Sequence, residues 1–237
     1  MKIEVILSPL LYAGRTLTTH HTTVAVDVLR ATTAICAAFE AGAETIVPLD
    51  SLEPLPRYRQ LGFALAAERN GSKVGDAEYG NSPTEYLRHD LKGYKLAYST
   101  TNGTVTLLAA ADADTTYTGA FANLSALADR LASDGNDIVV LCSGWKGEPC
   151  LEDTLFAGAL TQRLVDKTEA ETVNDAASMA LTLWQQACAD PYAFCSHATH
   201  IARLRKLGAG ADVEFAFRLD TCPVVPRFAD GVLRIDR

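Results

Sequence analysis

A chain of 237 residues with 48% hydrophobic side chains can bury a full core, which excludes a disordered or fibrous protein and fits one large domain or two small lobes. Its 21 basic against 29 acidic residues leave a formal charge of −8, which argues against nucleic acid or an anionic membrane as partner. Any anionic ligand must therefore be met by locally placed cations.

In chain order, residues 1–8 alternate as a strand does, and Glu4 interrupts them too early for the apolar centre of a secretory signal. No window approaches a membrane span, so a cytoplasmic location is expected. Four short β-like runs then end in polar clusters and pass into alanine-rich helical patterns: 22–27 into 31–42, 94–99 into 104–112, 116–119 into 123–133 and 137–142 into 151–165. Strand, polar loop and helix in repetition predict an α/β protein, layered α/β/α, with a mostly parallel or mixed central sheet. The first two units look like loose copies, each leading through a helix to a further β run, at 45–49 and 115–119.

The long connection between those two units ends in a helix start. Ser82 stands as N-cap, Pro83 at the first helical position and Glu85 three residues after the cap. Residues 173–206 read mainly as helix broken near Asp190-Pro191, and the tail from Val213 to Ile235 reads as short β runs with Pro223 and Pro226 at their edges. No linker interrupts the chain, so we expect one domain over 1–237, with a second lobe after about residue 165 left open. A homo-oligomer is also left open. The six cysteines, Cys36, Cys142, Cys150, Cys188, Cys195 and Cys222, are scattered singly through apolar segments, as reduced thiols are.

Ligands of open α/β sheets gather beyond the carboxyl ends of the strands, so the polar loops should converge. Foremost is Asp27, which closes the apolar run Val24-Ala25-Val26 and is followed by Arg30, Thr32 and Thr33. A hard metal ligand, a two-pronged oxyanion partner and two hydroxyls at one strand-to-helix turn can hold a phosphate and a cation together. Thr100-Thr101-Asn102-Gly103-Thr104 follows another β run, where side-chain oxygens either cap a helix or grip an anion and Gly103 permits close backbone approach. Glu152 and Asp153 open a helix after Ser143-Gly144-Trp145-Lys146-Gly147, as plain dipole partners or as metal ligands. A fourth cluster joins Glu68, Arg69 and Lys73 to Gly80-Asn81-Ser82-Pro83.

Other patterns point nowhere. Cys188, Cys195, His197 and His200 do not have zinc spacing, and Gly208-Ala209-Gly210 lacks the third glycine of a dinucleotide fingerprint. Leu29 stands where haloacid dehalogenase-like phosphatases carry their second aspartate.

Taken together, residues 26–33, Glu68-Arg69 through Gly80-Asn81-Ser82-Pro83, Thr100 to Thr104 and Leu151-Glu152-Asp153 closely resemble the 2-phosphosulfolactate phosphatase family. The likeness continues through Asp212-Val213-Glu214-Phe215 and Leu219-Asp220 to Val224-Val225-Pro226, nearly the whole chain. The resemblance implies a magnesium-dependent hydrolase that cleaves the phosphate ester of 2-phospho-3-sulfolactate, on the route to coenzyme M. On that reading Mg²⁺ is held by Asp27, Asp153 and either Glu152 or Glu68, and water attacks directly, aligned by a carboxylate such as Asp27. Arg30, Lys73 and the Thr100, Thr101, Asn102 and Gly103 loop neutralise the phosphoryl group, while Arg69, Asn81 and Ser82 meet the sulfonate and carboxylate. Residues 75–80 and Thr221-Cys222-Pro223 depart from the family pattern. They leave another small phosphorylated hydroxyacid as an alternative substrate, and a non-enzymatic anion-binding module as an alternative class.

Overall fold

The computed structural model describes residues 1–12, 20–110 and 113–235. The first half runs β1 (Lys2–Ile6), β2 (His21–Val26), α1 (Ala31–Glu40), β3 (Thr45–Leu49), α2 (Leu55–Gln60), β4 (Ala64–Arg69), β5 (Ser72–Lys73), α3 (Pro83–Tyr86), β6 (Lys95–Ser99) and α4 (Gly103–Ala109). The second runs β7 (Thr115–Gly119), α5 (Leu124–Asp134), β8 (Asp137–Cys142), α6 (Leu151–Lys167), β9 (Glu171–Thr172), α7 (Asp175–Ala187), α8 (Pro191–Phe194), α9 (Thr199–Lys206), α10 (Gly210–Ala216), β10 (Pro226–Ala229) and β11 (Val232–Ile235).

The predicted α/β class holds: among the described residues eleven strands form one sheet flanked by helices, in the order β5-β4-β6-β3-β11-β10-β7-β2-β8-β1-β9. Two parallel blocks, β4-β6-β3 and β7-β2-β8-β1-β9, are joined through the antiparallel hairpin β10-β11. Three antiparallel pairings in succession reverse the strand direction between the blocks. Both blocks nevertheless contribute their carboxyl ends to one cavity, so the sheet must curl between them.

Burial explains why the strands read as they do. All six residues of β2 are buried, because helices cover both its faces, which gives a central strand a continuous apolar run. Val24 and Val26 pack with Leu127, Phe156 and Leu160 of α5 and α6, while Ala25 belongs to the cluster around α1. That alternation is the period of two that a pleated strand imposes. Helix α1 is buried over nine of its ten residues, which the run of alanines allows by keeping its girth small. Helices α6 and α7 meet at Gly158, where an added Cβ would stand 2.0 Å from the Ala180 carbonyl oxygen.

The tail differs from the sequence reading. Residues 213–216, where the β runs were expected to start, instead complete α10, with Asp212, Val213, Phe215 and Ala216 buried at helical spacing, and the β structure begins only at Pro226. The helix break at Asp190-Pro191 is present, with Asp190 Oδ1 accepting from the Ala193 N–H at 2.9 Å. Helix α4 is described to Ala109, and residues 111–112 of the expected helix lie outside the described residues.

Candidate active site

Asp27 is the first residue past β2, and the next five residues are organised around it. The Thr32 hydroxyl donates to the Asp27 carbonyl at 2.9 Å and accepts from the Asp27 N–H at 3.1 Å, while the Thr33 hydroxyl donates to the Val28 carbonyl at 2.9 Å. Both threonines thus secure the turn from strand to helix. The Asp27 Oδ1 accepts from the Ala31 N–H at 3.3 Å. From α6, Asp153 spends both oxygens on backbone: Oδ1 accepts from Val28 N–H at 2.8 Å and Oδ2 from Gly144 N–H at 3.1 Å. Asp153 therefore ties the Asp27 turn to the loop after β8.

Burial lifts the Asp27 carboxyl from an ordinary 3.8 to about 6. The charges of Glu68 and Glu152 add to that rise, and His200 and the Ala31 N–H oppose it. Burial, then Asp27 and Glu152, likewise hold Asp153 well above the usual carboxylate range. Several acidic groups have been drawn into one poorly solvated region.

Arg30 is buried and donates through Nη1 to Asp212 Oδ2 at 2.8 Å and through Nη2 to the Gly71 carbonyl at 2.7 Å. The other Asp212 oxygen accepts from the hydroxyls of Ser82 at 2.7 Å and Thr84 at 2.6 Å. Asp212 lies on α10, one residue before the tail that reads as β in the sequence. Glu68, at the end of β4, accepts from the Gly71 N–H and from the Thr101 hydroxyl at 3.3 Å.

These groups surround a cavity of about 260 Å³, lined by Asp27, Arg30, Glu68, Asn81, Thr101 and Asn102, among others. Its further wall comes from Asn70, Trp145 and Lys146, which lie in the quoted loops without being candidate ligands, and from His200, Arg203 and Leu204 of α9, which the sequence did not offer for this site. His200, passed over because its neighbours lack zinc spacing, bonds through Nδ1 to Glu152 Oε1 at 2.8 Å. Its ring stacks on Trp145 with centroids 5.0 Å apart and planes 10° from parallel. The i, i+3, i+4 spacing of His200, Arg203 and Leu204 was the available signal, since it gives α9 one face toward a site.

Other expected ligands are turned elsewhere. Thr100 exchanges hydrogen bonds with Thr104 at the start of α4, the helix-capping alternative for that loop. Arg69 donates to the Glu68 carbonyl at 2.6 Å and to Ser99 Oγ at 2.9 Å, Lys73 is exposed and donates to the Glu78 carbonyl at 3.2 Å, and Ser82 is committed to Asp212. Gly103 contributes by having no side chain, because a Cβ there would stand 2.8 Å from Asp27 Oδ2. Glu152 lines a neighbouring cavity of about 380 Å³ and leaves its buried Oε2 without a partner.

Among the described residues no three His, Cys, Asp or Glu side chains form a ready-made metal cage. Among the described residues, Asp27 and Glu68 alone bring carboxylates to the main cavity. Two carboxylates suit Mg²⁺, which keeps several waters and takes its remaining ligands from substrate phosphate.

A polar cavity at the carboxyl ends of strands from both blocks, with carboxylates, cations and an imidazole on its wall, defines an α/β enzyme for a small anion. The model of the 2-phosphosulpholactate phosphatase family matches residues 11–231. A Synechococcus protein named probable 2-phosphosulfolactate phosphatase is 39% identical over 220 residues, covering 89% of this chain and 90% of that one. Proteins of the same name are 34% identical over 211 residues in Thermotoga petrophila and 31% identical over 215 in Caldanaerobacter subterraneus subsp. tengcongensis. The first of these alignments covers 89% of this chain and 90% of its relative, and the second covers 89% of each. The chain belongs to the 2-phosphosulfolactate phosphatase family, whose members are hydrolases of a phosphoric monoester. Among the described residues no helix is long and apolar enough to cross a membrane.

Proposed function

We propose that this protein is a magnesium-dependent phosphatase that hydrolyses 2-phospho-3-sulfolactate to 3-sulfolactate and phosphate in the cytoplasm, as in coenzyme M biosynthesis. The names of its relatives support the substrate. The observation that carries the reading is the gathering of buried Asp27, Glu68 and Arg30 around one cavity, on a chain whose net charge of −8 would otherwise repel a phosphate ester.

Asp27 and Glu68 are the residues that would hold Mg²⁺, which when bound would neutralise phosphoryl oxygens as charge shifts during transfer. Arg30, fixed by Asp212 and the Gly71 carbonyl, adds positive potential at the floor of the cavity. Asn102 and Asn81 supply amide donors to orient the ester, beside Thr101, whose hydroxyl holds Glu68. Asp27 aligns the water whose oxygen attacks phosphorus as the ester P–O bond breaks. His200, with Nδ1 occupied by Glu152, offers Nε2 to carry a proton to the departing alkoxide. One proton of the water ends on phosphate and the other, by way of the site, replaces the one His200 gave up.

The deciding experiment measures phosphate release from 2-phospho-3-sulfolactate by purified protein, with Mg²⁺ and with chelator, beside other phosphorylated hydroxyacids. Release that requires Mg²⁺ and favours phosphosulfolactate is expected. No release from any ester would end the phosphatase reading, and release undiminished by chelator would end the magnesium part of it.

A further inference from the structure

The cations on the cavity wall differ in what already neutralises them. Arg30 is held by a carbonyl and by Asp212, whose charge offsets part of its own. Lys146 and Arg203 line the same cavity, yet neither makes an ion pair among the described residues: Lys146 Nζ lies 4.7 Å from the centre of the Trp145 ring, and Arg203 donates to the Asn70 carbonyl. Two cations without an anionic partner, facing a cavity whose carboxylates sit apart on β4 and after β2, constitute a place for a second negative group.

The position of Lys146 is built rather than incidental. A column runs from the buried Glu152 through His200 and the stacked indole of Trp145 to the Lys146 ammonium, with a bond of 2.8 Å at its base. Arg203 follows His200 by three residues on α9, so it shares that helical face and enters the cavity beside the column. Of the side chains that the sequence offered for the acidic tail of the substrate, Arg69 and Ser82 are engaged with the protein itself, and Asn81, on the cavity wall, carries no charge.

Resting on the phosphatase reading above, the geometry points to Lys146 and Arg203 as the pair that reads the sulfonate of the substrate, the strong acid that is not transferred, with Trp145 as positioning residue. A sulfonate presents three acceptor oxygens, which an ammonium and a planar guanidinium can share from two sides. Specificity would then lie on α9 and the loop after β8, and phosphoryl handling on the turn after β2.

The test compares 2-phospho-3-sulfolactate with 2-phospholactate, which keeps the carboxylate and lacks only the sulfonate, in wild type, Lys146→Met and Arg203→Met. Each lost charged contact should lower the ratio of kcat/KM between the two esters by about 10- to 100-fold, chiefly through KM for the sulfonated one. Trp145→Leu should lower that ratio in the same way, and Trp145→Phe, which keeps a ring under the ammonium, should restore much of it. A ratio that stays at the wild-type value, whether both rates fall together or neither moves, overturns the assignment. Wild-type protein silent on both esters would instead sink the phosphatase reading, and the assignment with it.

Discussion

Gly103 lies directly against the carboxylate of Asp27: a Cβ at position 103 would stand 2.8 Å from Asp27 Oδ2 and 2.2 Å from the Ala31 Cβ. Helices α4 and α1 approach this closely only because the first residue of α4 has no side chain. Gly103→Ala should therefore force α1 and α4 apart, costing about 1–3 kcal/mol of stability by overpacking. It should also lower kcat, because Asp27 cannot keep its position. Denaturant unfolding and steady-state kinetics check the pair of effects, and a variant of wild-type stability and turnover would contradict the contact.

Asp27 is expected to weaken the fold that holds it. Its carboxyl binds a proton more tightly in the folded protein, at about 6, than in the unfolded chain, near 3.8. Stability should thus fall as pH rises between those values and stay low above them, a loss of about 3 kcal/mol. Asp27→Asn keeps an acceptor for the Ala31 N–H and removes the charge. In chelator, the variant should be more stable than wild type near neutral pH, with the gap closing toward about pH 4. Its phosphatase activity should fall by orders of magnitude, and added Mg²⁺ should raise the melting temperature of wild type more than that of the variant. A variant less stable than wild type at neutral pH would refute the buried-charge account.

The turn around Asp27 was legible because it is local. A carboxylate after an apolar strand, followed by hydroxyls within one helical turn, carries its meaning in adjacent residues, and Asp27, Arg30, Thr101, Asn102, Asn81 and Glu68 do share one cavity. What the sequence hid was long-range pairing. Arg30 meets Asp212 across 182 positions, and Glu152 meets His200 across 48. Nothing near Asp212 signals that pairing, because its helix is short and its run of apolar residues reads equally well as strand. Thr32, Thr33 and Asp153 show the opposite case, bonding backbone groups: polar side chains at a loop satisfy the backbone as readily as ligands, and the partner atoms distinguish the two uses.

The Arg30–Asp212 pair predicts an asymmetric response. Both groups are buried, and Asp212 also serves the Ser82 and Thr84 hydroxyls. Asp212→Ala leaves a guanidinium without its counter-charge and should cost about 3–5 kcal/mol. Arg30→Lys keeps a charge but cannot reach both Asp212 and the Gly71 carbonyl with a planar fork, so kcat/KM should drop strongly with a smaller loss of stability. Urea denaturation beside kinetics separates the two effects. Wild-type kinetics in Arg30→Lys would remove Arg30 from the phosphoryl site.

Glu152→Gln isolates what the base of the column does. The substitution keeps size, so the fold should hold, and it removes a buried charge whose Oε2 has no partner. An amide oxygen can still accept from Nδ1–H, but it supports the positive charge on the ring during proton transfer less than a carboxylate does. With His200 as proton carrier to the leaving alkoxide, kcat should fall about 10- to 100-fold near neutral pH. The loss should be smallest for a substrate such as p-nitrophenyl phosphate, whose leaving group needs no proton. Equal losses on good and poor leaving groups would show that Glu152 supports the wall of the cavity rather than proton delivery.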